Sequence, residues 1–229
     1  MKERRANPII DRYVTTDLDI ASIVATVGAS KSPMVEALVL LGECLDGRRL
    51  ARDAMAAARE VPIPGADPEL AILMLTRWAE LACRLARPSE AEALLHQAGT
   101  LMRSDTHPEI RATEIFTRSV LAETRGNQDE RETLLRRILD VLPDVSQRRK
   151  YYVWELGVLL AQQGRGIEFR KPMQDLTWQC NERFTPDRLL IVEFLDAVET
   201  GRIQAASSLM PRIATDQRPG RGPLPYQEY

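Results

Sequence analysis

The chain has 229 residues, of which 44% are hydrophobic, 28% charged and only 5% aromatic. That is enough apolar content for one large domain or for about five to six stacked helical hairpins. Its 31 basic and 33 acidic side chains leave a formal net charge of −2, so it lacks the basic field that nucleic-acid binding requires. No stretch approaches ~18 uncharged apolar residues, which excludes a membrane-spanning helix.

The amino terminus, Met1 to Tyr13, carries charges with no apolar core after them, so it is not a secretory signal and the expected location is cytoplasmic. Residues 1–16 read as extended or loosely attached. Asp17 to Val27 reads as a short helix whose Ala21, Val24 and Ala25 cap the first repeating unit. Residues 1–32 are thus expected to form an N-terminal extension.

From Pro33 onward a pattern recurs. Pro33, Pro68, Pro108 and Pro186 each precede or begin a helix-like apolar run, and their separations are 35, 40 and 78 residues, the last being two units of 39. A break rich in Gly, Pro or Asp follows each run, and then a second amphipathic stretch. The second stretches are Leu50 to Arg59, Glu90 to Leu101, Asp129 to Leu142 and Ile203 to Ala214. A period in the thirties with two helices per unit is the signature of a helical-hairpin solenoid. In such a fold each unit hides its apolar face only against its neighbours.

Along the fourth first helix, Val153, Leu156, Gly157 and Leu160 share one face at i, i+3, i+4, i+7 spacing. Gly157 costs about 1 kcal/mol relative to Ala in a helix, and a small residue there lets the next helix approach. Gly164 then supplies the positive φ of a tight helix–helix turn. The second unit carries Trp78, Leu81, Ala82 and Leu85, with a break at Arg87-Pro88-Ser89. The first carries Leu41-Gly42 and Leu45, then turns at Asp46-Gly47. Pro64 stands seventeen residues after Gly47, and Pro143 stands seventeen after Gly126.

This pattern of a large residue, Leu, a small residue and another apolar residue along the first helix resembles the tetratricopeptide repeat. The resemblance covers about residues 33–216, most literally in units two and four. The spacing is nearer 39 than the family's 34. Arg118 and Ser119 stand where Leu and a small residue are usual, and Pro172 falls inside the expected second helix of unit four, where it breaks or delays that helix. The resemblance implies an all-α, right-handed superhelical α–α solenoid of about five hairpins, with first helices lining a concave groove that holds a peptide or a partner helix.

Catalytic chemistry is thin. His96 and His107 are the only histidines, and they read as surface or capping residues. No phosphate-binding, dinucleotide-binding, nucleophile-elbow or zinc-protease motif is present. Cys44, Cys83 and Cys180 lack metal-ligand spacing and read as reduced, buried thiols. Six methionines, from Met34 to Met210, fall mostly at apolar helical positions and read as core filling. No enzyme activity, cofactor or metal is expected.

Three places suit a binding partner. Arg148, Arg149 and Lys150 precede Tyr151 and Tyr152, and cations beside aromatics suit an acidic or C-terminal carboxylate ligand. Arg77 and Arg84 share a face, as do Arg111, Arg118 and Arg125, which lays a basic ladder along the first helices. Glu80, Glu109, Glu114 and Glu123 are alternative, ordinary solvated partners for them. Aromatic residues gather in the C-terminal half, where Trp178, after the disruption at Pro172, is expected to be partly exposed. The Pro/Gly-rich tail, residues 217–229, is expected to be flexible. Its terminal Pro-Tyr-Gln-Glu-Tyr is a candidate ligand for a neighbouring groove, which would give homo-oligomers or autoinhibition.

The sequence therefore points to a protein-protein interaction module, an adaptor or scaffold of bacterial style, binding a protein or an extended, possibly acidic peptide. The alternatives are a ligand- or peptide-sensing regulatory module and a chaperone for a secreted or assembling subunit.

Overall fold

The computed structural model describes residues 7–16, 20–27, 32–47, 50–146, 148–168 and 185–215. Among them the regular structure is helical, in eleven helices: α1 (Pro8–Thr15), α2 (Ile20–Val27), α3 (Pro33–Leu45), α4 (Ala51–Arg59), α5 (Pro68–Arg84), α6 (Pro88–Leu101), α7 (Pro108–Thr124), α8 (Gln128–Val141), α9 (Arg149–Gln162), α10 (Thr185–Glu199) and α11 (Ile203–Thr215). None of these helices is long and apolar enough to cross a membrane. The chain divides into two compact units, residues 1–152 and 153–229, a boundary that falls inside α9.

The four opening prolines work as expected, and the reason is local. Ser32, Asp67 and His107 each stand just before a proline at the first helical position, and each side chain accepts a backbone N–H of the first turn. The cap satisfies a donor that the helix cannot, and the proline has no donor to lose. Pro186 likewise sits in the first turn of α10.

The turns share one geometry. Gly47, Gly126, Gly164 and Gly201 all adopt φ near +70°. After α7 the Gly126 N–H bonds to the Glu123 carbonyl and the Asn127 N–H to the Ala122 carbonyl. The same pair of bonds recurs at Gly164/Arg165 and Gly201/Arg202. This double closure of the last helical turn favours glycine, which has no Cβ to clash in the left-handed region. In the second hairpin Ala86 takes the same place at φ +54°, with Ala86 N–H to Cys83 and Arg87 N–H to Ala82. The break expected at Arg87-Pro88-Ser89 is therefore shorter: α6 already starts at Pro88.

In the first unit, α3 packs on α4, α5 on α6 and α7 on α8, so three hairpins follow one another. Each first helix also packs on the next, α3 on α5 and α5 on α7, while α4 touches α5 and α6 touches α7. One continuous core results, including Leu38, Leu41, Leu73, Met74, Leu95 and Ile110. Polar links hold successive hairpins in register: Glu69 of α5 accepts the His107 backbone N–H at 2.8 Å, and Arg84 donates to the Leu45 carbonyl at 2.7 Å. In the second unit α10 packs on α11. There the Gly166 N–H donates to Asp196 at 2.8 Å, and a Cβ at Gly166 would stand 2.8 Å from that side chain, closer than real Cβ contacts. Gly166 is thus required for close approach. Pro211 lies inside α11.

The amino-terminal expectation is corrected. Residues 8–15 are helical, not extended, and Ile9, Ile10 and Tyr13 are buried in the common core. In α2 the buried residues are Ile20 and Ile23, with Val24 partly buried and Ala25 exposed. The larger isoleucines, not the alanines, seat α2 on α3 because they remove more apolar area from water. The readings at Pro172, Cys180 and the tail lie outside the described residues.

Candidate partner-binding face

Helix α1 owes its form to Asn7-Pro8, the same device that opens α3, α5 and α7. The Asn7 side chain accepts from the N–H groups of Ile9 and Ile10, and Pro8 is the first helical residue. Ile9, Ile10 and Tyr13, at i, i+1 and i+4, form its buried face. That face joins the common apolar core while α1 packs on α2, and polar contacts tie its Asn7 and Tyr13 to the first helices. The Asn7 amide donates to Asp67, the cap of α5, at 2.9 Å. The Tyr13 hydroxyl lies 2.9 Å from Thr113 Oγ1 on α7. Arg148, one residue before α9, places its guanidinium 3.8 Å from the centre of the Tyr13 ring and donates from Nε to the Tyr13 carbonyl at 3.2 Å. A cation over a desolvated ring contributes about 2 kcal/mol.

The seat is a buried polar cluster. Thr113, Thr117 and Glu109 of α7 are each at most 3% exposed. The two threonines return their hydroxyls to carbonyls four residues back, 2.9 and 3.0 Å away. Glu109 accepts from the Ser146 hydroxyl through Oε1, but among the described residues its buried Oε2 has no hydrogen-bond partner. Burial pushes the Glu109 carboxyl up, with the Ser146 bond and the Arg148 charge opposing. Burial also works against ionisation of the Tyr13 phenol, but Arg148, Arg77 and the Thr113 bond outweigh it and lower its pKa. Tyr152, packed tilted on Phe116 at 5.4 Å, is pushed up by burial. Arg77 is kept charged against its burial chiefly by Glu80.

The seating of α1 is a balance of similar quantities. Burying each of its three large side chains contributes about 1.5–3 kcal/mol. Ordering each backbone residue costs about 1–2 kcal/mol, and an isolated helix of this length does not persist in water. Helix α1 therefore exists because its seat exists.

The remaining candidate residues are engaged as follows. Arg77 and Arg84 grip the buried Glu80 at 2.8 and 3.2 Å. Arg118 pairs with the buried Glu114 at 2.5 Å and reaches the Leu95 carbonyl at 3.3 Å. Arg111 binds the Thr106 carbonyl at 3.1 Å and that of Arg103. Arg125 pairs with Glu92 of α6 at 2.6 Å, and Glu123 takes the buried Arg131 at 2.6 Å. Arg149 donates to the Leu139 and Leu142 carbonyls, at 2.5 and 2.7 Å, so it closes the end of α8. Lys150 lies 5.3 Å from the Tyr151 ring centre. The structure places Arg148 on Tyr13, and distributes the other arginines, Arg77 included, among carboxylates, backbone carbonyls and helix ends. Trp178 lies outside the described residues.

His107 caps α7 through Nδ1, which accepts the Glu109 N–H at 3.2 Å, and His96 is exposed. Cys83 is buried, Cys44 partly so, and burial raises both thiols. The residues that sequence reasoning missed are Asn7, Ile9, Ile10 and Tyr13. Their signal was present: an Asn-Pro cap followed by apolar positions on one helical face. No protein-family model matches the chain, and no curated protein matches it.

Proposed function

We propose that the chain is a protein-protein interaction module, a solenoid of about five tetratricopeptide-like hairpins that holds a partner segment against its first helices. The observation that carries this reading is the seat of α1. A short amphipathic helix packs on α2 and reaches the α5 cap Asp67, Thr113 of α7 and Arg148 just before α9, with its apolar face buried and its tyrosine hydrogen-bonded. That face has the apolar depth and the polar groups to hold a helix of this kind. The repeated cap-proline openings and left-handed turns support the hairpin repeat. The pairing of Arg77, Arg84 and Arg118 with carboxylates supports a helix with an apolar face as the ligand over a strongly acidic peptide.

Cross-linking mass spectrometry on the full chain in lysate of the source cell tests this. The expected result is one dominant protein partner whose cross-links fall on α5, α7 or α9. Cross-links confined to α6 and α8 would overturn the face, and the absence of any protein partner would overturn the module. A Lys150→Glu/Tyr151→Ala variant leaves Arg148 on Tyr13 and Arg149 on the α8 carbonyls, and is expected to weaken capture if the partner extends along α9.

A further inference from the structure

Helix α1 fills its seat incompletely. One turn before Thr113 on the same face of α7, Glu109 keeps a buried carboxylate oxygen without a hydrogen-bond partner among the described residues while α1 is in place. Buried acceptors of this kind are rare because each forgoes the hydrogen bond that water would supply. An occupant carrying a donor at that point satisfies it, and α1 does not. Helix α1 is also the shortest kind of element to hold a core position: eight residues, three of them fully committed to the seat. Elements of this sort open at lower free energy than the helices beneath them.

We propose that α1 is a resident occupant of the partner groove. The partner is an amphipathic helix of the same chemistry, with two aliphatic residues and a tyrosine on one face plus an amide or cationic side chain that donates to Glu109, and it displaces α1 to bind. This rests on the binding-module reading above and names the occupant of its groove. Affinity in such a system is reduced by the fraction of molecules whose own α1 is seated, so unseating α1 raises it without adding a contact.

The test uses the full chain and a fluorescein-labelled peptide of residues 7–16, read by anisotropy. The Ile9→Glu/Ile10→Glu variant, which unseats its own α1, is expected to bind the peptide at least tenfold more tightly than the wild type. The same peptide with Tyr13→Ala should bind at least tenfold more weakly. A variant that stays helical by circular dichroism yet gains no affinity overturns the proposal. Should that variant not fold, hydrogen exchange on the wild type decides. Excess unlabelled peptide is expected to speed exchange of the chain's own Ile9–Tyr13 amides while α5 and α7 stay protected, and unchanged exchange at every peptide concentration overturns it. If a cross-linked partner is found on α5 or α7 but α1 never leaves, the module reading survives and this inference fails. If peptide displaces α1 and no protein partner exists, the groove exchanges helices as proposed and the module reading fails.

Discussion

Helices α5 and α7 are the same object built with different chemistry. Both have 17 residues, open with a capped proline and a glutamate, and pack on a second helix through a left-handed turn. At the buried positions α5 offers Leu73 and Met74 where α7, forty residues on, offers Thr113 and Glu114. The framework of capping, turn and stacking fixes where a first helix lies. Its inner side chains then decide what lies against it: at α5 mostly apolar packing, with Thr76 and Glu80 its buried polar groups, and at α7 a larger set of hydroxyls and carboxylates with Tyr13 bonded to one of them.

The largest effect should come from making α5 resemble α7. Leu73→Thr removes fully buried apolar volume from the core and is expected to cost about 2–4 kcal/mol in urea unfolding. The turns give a smaller contrast of opposite sign. Gly126→Ala forces a side chain into the left-handed region and should destabilise by about 1 kcal/mol. Ala86→Gly relieves the same strain in the other hairpin and should stabilise by about 0.5 kcal/mol, after the greater freedom of glycine in the unfolded chain is set against it. Equal signs for the two would break the equivalence of the turns.

The glutamates sharpen the comparison through pH. The Glu109 carboxyl is held above its ordinary range by burial. The folded state therefore binds its proton more tightly than the unfolded chain does. The stability this contributes is fully present below the unfolded pKa and is lost as pH rises through the folded one. Glu109→Gln should remove that slope and be the more stable protein at neutral pH, as thermal melts from pH 4 to pH 8 would read. A steeper loss in the variant would show that the Arg148 charge outweighs burial.

Much of this framework was legible before the fold was known. Pro33, Pro68 and Pro108 begin helices, Gly47, Gly126, Gly164 and Gly201 turn, and the second helices fall within about two residues of where periodicity puts them. Such features are set by local backbone chemistry, which a sequence carries directly. Ala86 was hidden because the left-handed turn it occupies is normally marked by glycine. The α1 seat was hidden for another reason. Read alone, Asn7 to Thr15 is too short to stand as a helix, and the charges before it suggest a loose end. Only the distant partners Asp67, Thr113 and Arg148 give it a place. Glu109 and Glu114 look like solvated charges in a mixed helix, and burial against other helices is not written in their spacing. For the same reason the arginines could be picked out, but not their division between Glu80, Glu114, helix ends and Tyr13.

The contact that joins α1 to α7 is the most direct test. In a double-mutant cycle of Tyr13→Phe and Thr113→Val, followed by urea unfolding, each single change is expected to cost about 1 kcal/mol. Because the hydroxyls are partners, the double variant should cost clearly less than the two together, with a coupling of about 0.5–1 kcal/mol. Strict additivity would mean that Tyr13 does not sit on Thr113, and that the first-helix face is not the seat of α1.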